Sequence, residues 1–395
     1  MLAAEGDRRA CGRAGSKPRR ARGTVIRRFN AGPLALRAMD AAALRGEYPV
    51  LERLAYLNTG TDGPLAAKAV DAARAALDAE LEGGRFTEHF QARMALQTDL
   101  RAGYARLVGA PAEEVALTTS ASDGLGRVLA GFALGPGDEV ITSDQEHPGL
   151  IGALLHARAR GATVRAVPFR DVAGAVGPRT VLVAVSHVSW VGGDVVPAAL
   201  AETGVPVVLD GAQGAGAVPV DVRALGCAAY AAAGQKWLCG ADGTGFLWID
   251  PAFAERVQAV CPAYVGFADP TRGLDSPLKA EAARYDTPSL SREAVALSLA
   301  ALELLEAAGW EEIHARACAQ AAELAAALTQ RGHDVAPRGP TTLVAWADPA
   351  AEATRDRLFE AGIVVRNLPG RDLVRASVGA WNDAGDLDRL LAAVG

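Results

Sequence analysis

The chain has 395 residues, half of them hydrophobic and 22% charged, with a formal net charge of −6. That balance excludes a disordered or fibrous chain and predicts a soluble globular enzyme of about two or three domains. No uncharged apolar run is long enough to span a membrane, and the acidic body has no footprint for nucleic acid.

Residues 1–38 carry ten Lys/Arg against Glu5 and Asp7. This basic leader lacks the apolar stretch of a secretory signal. With only Ser16 and Thr24 as hydroxyl residues and no amphipathic period, it also departs from a transit peptide. It is read as a disordered leader, with the folded protein opening at Met39. Residues 39–59 are read as a segment joining the smaller domain described below. A helix is predicted from Gly63, with Pro64 in its first turn and Gly83-Gly84 at its end, and another over about 89–107. Apolar β-rich runs at 115–119, 139–142, 163–167, 180–188, 205–209 and 245–249 then alternate with helical stretches. Buried strands separated by helical crossovers give a mostly parallel sheet covered on both faces, so residues 60–265 are expected to form one large α/β domain.

Residues 266–290 are polar and irregular, a loop of a length usually reserved for function or partner contact. Ser291 is placed as the cap of the next helix, whose Val295, Leu299 and Leu302 share one face. A second helix ends at Gly332. Strands at 342–346, 363–366 and 373–378 then alternate with helices, so residues 291–395 are read as a smaller α/β domain.

Only four of the 40 basic side chains are lysines: Lys17, Lys68, Lys236 and Lys279. Of these, Lys236 alone sits in an apolar, glycine-flanked run, residues 230–240. Arginine can neither lose its proton nor form a Schiff base; a desolvated lysine can do both. Taken by itself, a lysine snorkelling from a strand end explains Lys236 equally well. The five cysteines are odd in number, widely spaced and without a CxxC pair. They are expected to be reduced thiols in a cytoplasm, with neither a zinc site nor a disulfide framework.

In an open α/β sheet, ligands bind beyond the carboxyl ends of the strands. Those ends carry Ser120–Gly124, then Asp144–Gly149 with His147, then Ser189-Trp190, and then Asp210-Gly-Ala-Gln213. The glycines at 211, 214 and 216 are not in the order G-x-G-x-x-G, and Val218-Pro219 stands where a helix should start, which sets aside a dinucleotide site.

The segments SDQEHPG, LDGAQGAGAVPVD and AAGQKWLCGADGTGFL resemble the class V aminotransferase family of pyridoxal-phosphate enzymes, the group that contains the cysteine desulfurases. The resemblance runs from about Tyr56 to the C-terminus. Within the family, EHPG and SHVSW are most similar to the cysteine/cystine C–S lyases. The resemblance implies the type I fold and pyridoxal 5'-phosphate as cofactor. Lys236 would bind the cofactor aldehyde and later move the Cα proton. Asp210 would pair with the ring nitrogen, Gln213 would bond the phenolic oxygen, and His147 would stack on the ring. Ala121, Ser122 and Gln235 would contact the phosphate, and Arg375 would clamp the carboxylate of an amino-acid substrate. The family builds its site in a homodimer, with Ser289 reaching the neighbouring subunit's phosphate. Trp190 would line the substrate pocket, and His187 is expected to be a buried support rather than a catalyst.

Two departures matter. Where cysteine desulfurases carry a nucleophilic cysteine, residues 366–371 read Arg-Asn-Leu-Pro-Gly-Arg, and Cys239 is expected to be inert because apolar surroundings raise a thiol's pKa. Ala233 also stands where relatives often have a phosphate-binding serine. The expected reaction is therefore C–S β-elimination giving pyruvate and ammonia. Desulfuration, an isopenicillin N epimerase-like reaction and transamination use the same residues, and a non-catalytic cofactor-binding regulator is the remaining alternative.

Overall fold

The computed structural model describes residues 40–395. The basic leader assigned to 1–38, together with Met39, lies outside the described residues. In chain order the helices are α1 (Ala41–Gly46), α2 (Ala67–Gly83), α3 (Thr87–Leu107), α4 (Ala121–Gly131), α5 (Pro148–Ala159), α6 (Pro251–Ala254), α7 (Arg292–Ala308), α8 (Trp310–Gln330), α9 (Ala351–Glu360) and α10 (Ala384–Val394). The strands are β1 (Ala55–Tyr56), β2 (Val115–Thr118), β3 (Glu139–Ser143), β4 (Thr163–Val167), β5 (Thr180–Ser186), β6 (Val207–Asp210), β7 (Ala229–Ala233), β8 (Gly245–Ile249), β9 (Leu343–Ala347), β10 (Ile363–Val364), β11 (Arg366–Asn367) and β12 (Leu373–Ser377).

Seven strands form the main sheet in the order β2-β8-β7-β6-β5-β3-β4. The run from β7 through β4 is parallel, while β8 runs antiparallel to both its neighbours. Strands β2, β3, β6, β7 and β8 are buried at every residue. That is what a sheet with a hydrophobic cluster on each face requires. A second sheet, β11-β12-β9, and the pair β1-β10 pack around a third cluster that includes Leu57, Leu324 and Trp346. The described residues 40–395 fall within one body; we propose the boundaries at 60, 265 and 290 as divisions within it.

Strand β7 is the one the sequence pattern does not announce. Its residues, Ala229-Tyr-Ala-Ala-Ala233, have little intrinsic strand preference. Alanines are used here because α4 lies against the sheet at Gly124, where a Cβ would stand 2.9 Å from that of Ala231. The glycines after β6 have a similar cause. A Cβ at Gly211 would collide with the Tyr230 ring, and one at Gly214 would collide with His187. They admit aromatic rings beneath the site rather than a phosphate.

Helix α2 starts at Ala67, not at Gly63. Pro64 is left in an extended approach because the Gly63 amide donates to Gln235 O (2.7 Å) and draws the chain toward Lys236. Ser291 occupies the N-cap position of α7 without a side-chain capping bond. Within 266–290, Asp286 is an anchor: its carboxylate accepts from both terminal nitrogens of Arg101 (3.0 and 2.7 Å) and from Leu117 N (2.8 Å).

Candidate active site

The carboxyl ends of β2, β3, β5, β6 and β7 supply the candidate residues. Lys236 lies in the turn after β7, closed by Gly240 N donating to Gly234 O (2.9 Å) and Cys239 N to Lys236 O (3.0 Å). Gly63 packs so tightly on that turn that a Cβ would overlap the Lys236 carbonyl oxygen. Burial lowers the Lys236 pKa; Asp210 opposes the shift, while Arg375 and Arg366 add to it. Asp210 ends β6, is buried, and accepts from Ala212 N (2.9 Å). Burial raises its pKa and the Lys236 charge draws it back. The two sense each other without a direct ion pair among the described residues.

His147 is the N-cap of α5. Its Nδ1 accepts from Gly149 N (3.1 Å), which leaves the ring proton on Nε2. Burial, reinforced by Lys236, Arg366 and Arg375, lowers its pKa to about 4, so the ring is neutral near pH 7. The indole of Trp190 meets it edge-on, with centroids 5.3 Å apart. At the N-terminus of α4, Ser120 accepts from Asp123 N (3.1 Å), leaving Ala121 and Ser122 in the first turn. Ser122 Oγ sits so close to Gly149 that a Cβ there would overlap it. The α4 N-terminus and the His147 turn are thus in contact.

Arg375 is the strongest electrostatic feature. It is fully buried at 0% exposure, and one terminal nitrogen donates to Trp190 O (2.5 Å). Among the described residues its Nε and Nη2 have no partner. Burial, then Arg366, lowers its pKa to about 9. A buried guanidinium left half unsatisfied is costly unless an anion completes it. Gln235 Oε1 and Trp190 Nε1 are also buried without partners among the described residues. Gln213 is already engaged, donating to Gly60 O (2.7 Å) and accepting from Trp237 Nε1 (2.9 Å). Ser289 is exposed, and its one hydrogen-bond partner among the described residues is Arg93 (3.4 Å).

Three features of the site were not recognised from the sequence. Arg366 faces Arg375 across the β11–β12 register. The turn 58–63 reaches Gln213, Arg366 and the Lys236 turn. Glu146 is a buried carboxyl accepting from Ser186 N (3.0 Å), Ser186 Oγ (2.6 Å) and Ser143 Oγ, and burial raises its pKa to about 7. Its signal was present as the acid directly before His147.

His187 is buried, with Nδ1 3.1 Å from the Tyr230 hydroxyl. Burial lowers its pKa to about 4. An unfolded histidine titrates near 6.5, so between about pH 6.5 and 4 the unfolded chain takes up a proton that the folded chain refuses, and stability falls as pH falls through that window. His187→Gln removes this term. Its cost relative to the parent should be smaller at pH 5 than at pH 7.5, by on the order of 2 kcal/mol. Equal costs in urea unfolding at the two pH values would contradict the assignment.

An amine of lowered pKa, a buried carboxylate on the adjacent strand, a neutral imidazole and a helix N-terminus with a hydroxyl fit pyridoxal phosphate. The unpartnered Arg375 adds a place for a substrate carboxylate. The sequence pattern of the family described as "Aminotransferase class-V" matches residues 77–390. The chain belongs to that family of pyridoxal-phosphate-dependent enzymes and has their type I fold. It is 31% identical over 275 residues to isopenicillin N epimerase of Streptomyces clavuligerus, covering 64% of this chain and 67% of that protein. It is 33% identical over 223 residues to a probable cysteine desulfurase of Halalkalibacterium halodurans, covering 51% and 53%. These alignments span between about half and two thirds of the relatives' length. The structure of the cystine C-S lyase C-DES with its reaction product cysteine persulfide aligns with a TM-score of 0.83 at 28% identity, covering 87% of this chain and 98% of that one.

Proposed function

We propose that this enzyme cleaves the Cβ–S bond of a cysteine-derived amino acid by β-elimination, releasing pyruvate and ammonia. The carrying observation is the half-satisfied Arg375 beside Lys236, with Arg366 across the strand pair. The α-carboxylate of an amino acid completes Arg375, and Arg366 offers a second positive charge to a substrate with another carboxylate. When bound, the pyridine ring supplies an electron sink for the pair left at Cα. Lys236, its pKa already lowered, takes the Cα proton as its amine. Asp210 provides the negative charge that keeps the ring nitrogen protonated. His147 would offer a neutral plane to the ring face. Ala121, Ser122 and Gln235 would hold the phosphate, Gln213 would serve the phenolic oxygen, and Trp190 would wall the substrate side. As the Cα proton leaves, the bond from Cβ to sulfur breaks and sulfur departs with the electron pair.

Desulfuration is disfavoured by the thiols. No cysteine lies in residues 366–371. Burial pushes the Cys227 thiol up to about 12 and raises Cys239 further still. The similarity to isopenicillin N epimerase supports epimerisation as the second reading, which requires a proton donor on the face opposite Lys236. Incubation with cystine, S-substituted cysteines and ordinary amino acids, scored for pyruvate, alanine, sulfide and D-isomers, separates these. Pyruvate as the main product is expected; alanine or D-isomers in its place would overturn elimination.

The proposal includes a cytoplasmic homodimer. Among the described residues, no helix is long and apolar enough to cross a membrane. Leu77, Leu81, Phe86, Leu155 and Leu274 are exposed apolar side chains, and a second copy covering such surface would bring Ser289 toward the neighbouring phosphate.

A further inference from the structure

The strand ladder stops short of the site. The register between β3 and β5 ends at Ile141 paired with Val183, so the last residues of the two strands are not joined to each other by backbone pairing. Glu146 fills that gap. Its carboxylate accepts from Ser186 N (3.0 Å) and Ser186 Oγ (2.6 Å) on β5, and from Ser143 Oγ at the end of β3. All three residues are buried, so without this carboxylate a backbone amide and two hydroxyls lose their acceptor in the interior. Gln145 adds a second tie between the same segments. Its amide donates to Ser143 Oγ (3.1 Å) and its side chain accepts from Ser189 Oγ (2.5 Å).

The bridge lies between the groups that frame the cofactor site. His147 follows Glu146 directly and starts α5. On the far side of β5, Ser186 is the register partner of Asp210, and His187 N donates to Asp210 O (2.9 Å). Trp190, beyond the same strand end, meets the His147 ring edge-on. The Asp210 charge also adds to the burial that raises the Glu146 pKa, so the two acids sense each other. With its oxygens engaged across the split, Glu146 acts through its neighbours.

We propose that Glu146 is a positioning residue for the cofactor: by bridging the split between β3 and β5 it fixes the His147 ring relative to the Asp210 carboxylate, and so sets how the pyridine ring is seated. This rests on the reading in which His147 takes the ring face and Asp210 the ring nitrogen.

Two readouts that need no turnover test it: the dissociation constant for pyridoxal phosphate, titrated by absorbance into the stripped protein, and visible circular dichroism per bound cofactor in the loaded protein. Glu146→Ala should raise the dissociation constant about tenfold, the scale on which supporting hydrogen bonds tune a bound group, and should change the dichroism. Glu146→Gln keeps an acceptor for Ser186 and should return both toward the parent. Ser186→Ala removes one hydroxyl and should shift both as Glu146→Ala does, by less. Leu154→Ala, in the buried face of α5, is the control: its melting temperature should fall while both cofactor readouts stay at parent values. Parent values in Glu146→Ala or Ser186→Ala, no rescue by glutamine, or a matching change in Leu154→Ala would each overturn the assignment. His147→Ala keeps the two readings apart. An unchanged dichroism there would remove His147 from the ring face and the bridge with it, whereas a changed one beside an unchanged Glu146→Ala would reject the bridge alone.

Discussion

Lys236→Ala is expected to lose pyridoxal phosphate on dialysis and to lower the elimination rate by at least about 10⁴-fold, the scale of a positioned proton-transfer group. Lys236→Arg should fare no better. Arginine keeps the positive charge beside Asp210 but cannot give up a proton or bind an aldehyde. No other described lysine can replace it, since Lys68 is on α2 and Lys279 is in the segment 266–290. The measurement is absorbance of the bound cofactor before and after dialysis, together with pyruvate release. An arginine variant that retained both cofactor and turnover would show that position 236 supplies charge rather than an amine.

Arg375→Met should separate function from stability. The side chain has 0% exposure and, among the described residues, leaves Nε and Nη2 unpaired, so the substrate-free protein carries an uncompensated buried charge. Replacing it with an apolar chain of similar length should raise stability by about 1–3 kcal/mol, even though the bond to Trp190 O is lost. Affinity for the amino-acid substrate should fall roughly 10²–10³-fold, because a desolvated charge pair disappears. Melting temperature without substrate and KM for cystine are the two readouts. A lower melting temperature with KM little changed would make Arg375 a structural tether for Trp190 and remove it from substrate binding.

Asp210 and His147 could be picked out in one dimension because each follows a β-rich run, where a parallel sheet opens its ligand cleft. Lys236 stood out for a different reason, as one of four lysines in a chain whose other basic residues are arginine. Arg366 and Thr61 had no such marker. They lie about 300 residues apart and are joined by a hydrogen bond. Glu146 reads as an ordinary surface acid until Ser143 and Ser186 close over it.

By itself the sequence determined the alternation of buried strands and helices, the family and the cofactor chemistry, because these rest on local periodicity and on short motifs at strand ends. The placement of β7 between β8 and β6, the start of α2 at Ala67 and the unsatisfied state of Arg375 were decided only by the tertiary structure. Each depends on groups distant in the chain: α4 against the alanines, Gln235 on Gly63, and a burial that leaves a guanidinium short of acceptors. Local propensity carries no information about such partners, and desolvation is a property of the packed interior alone.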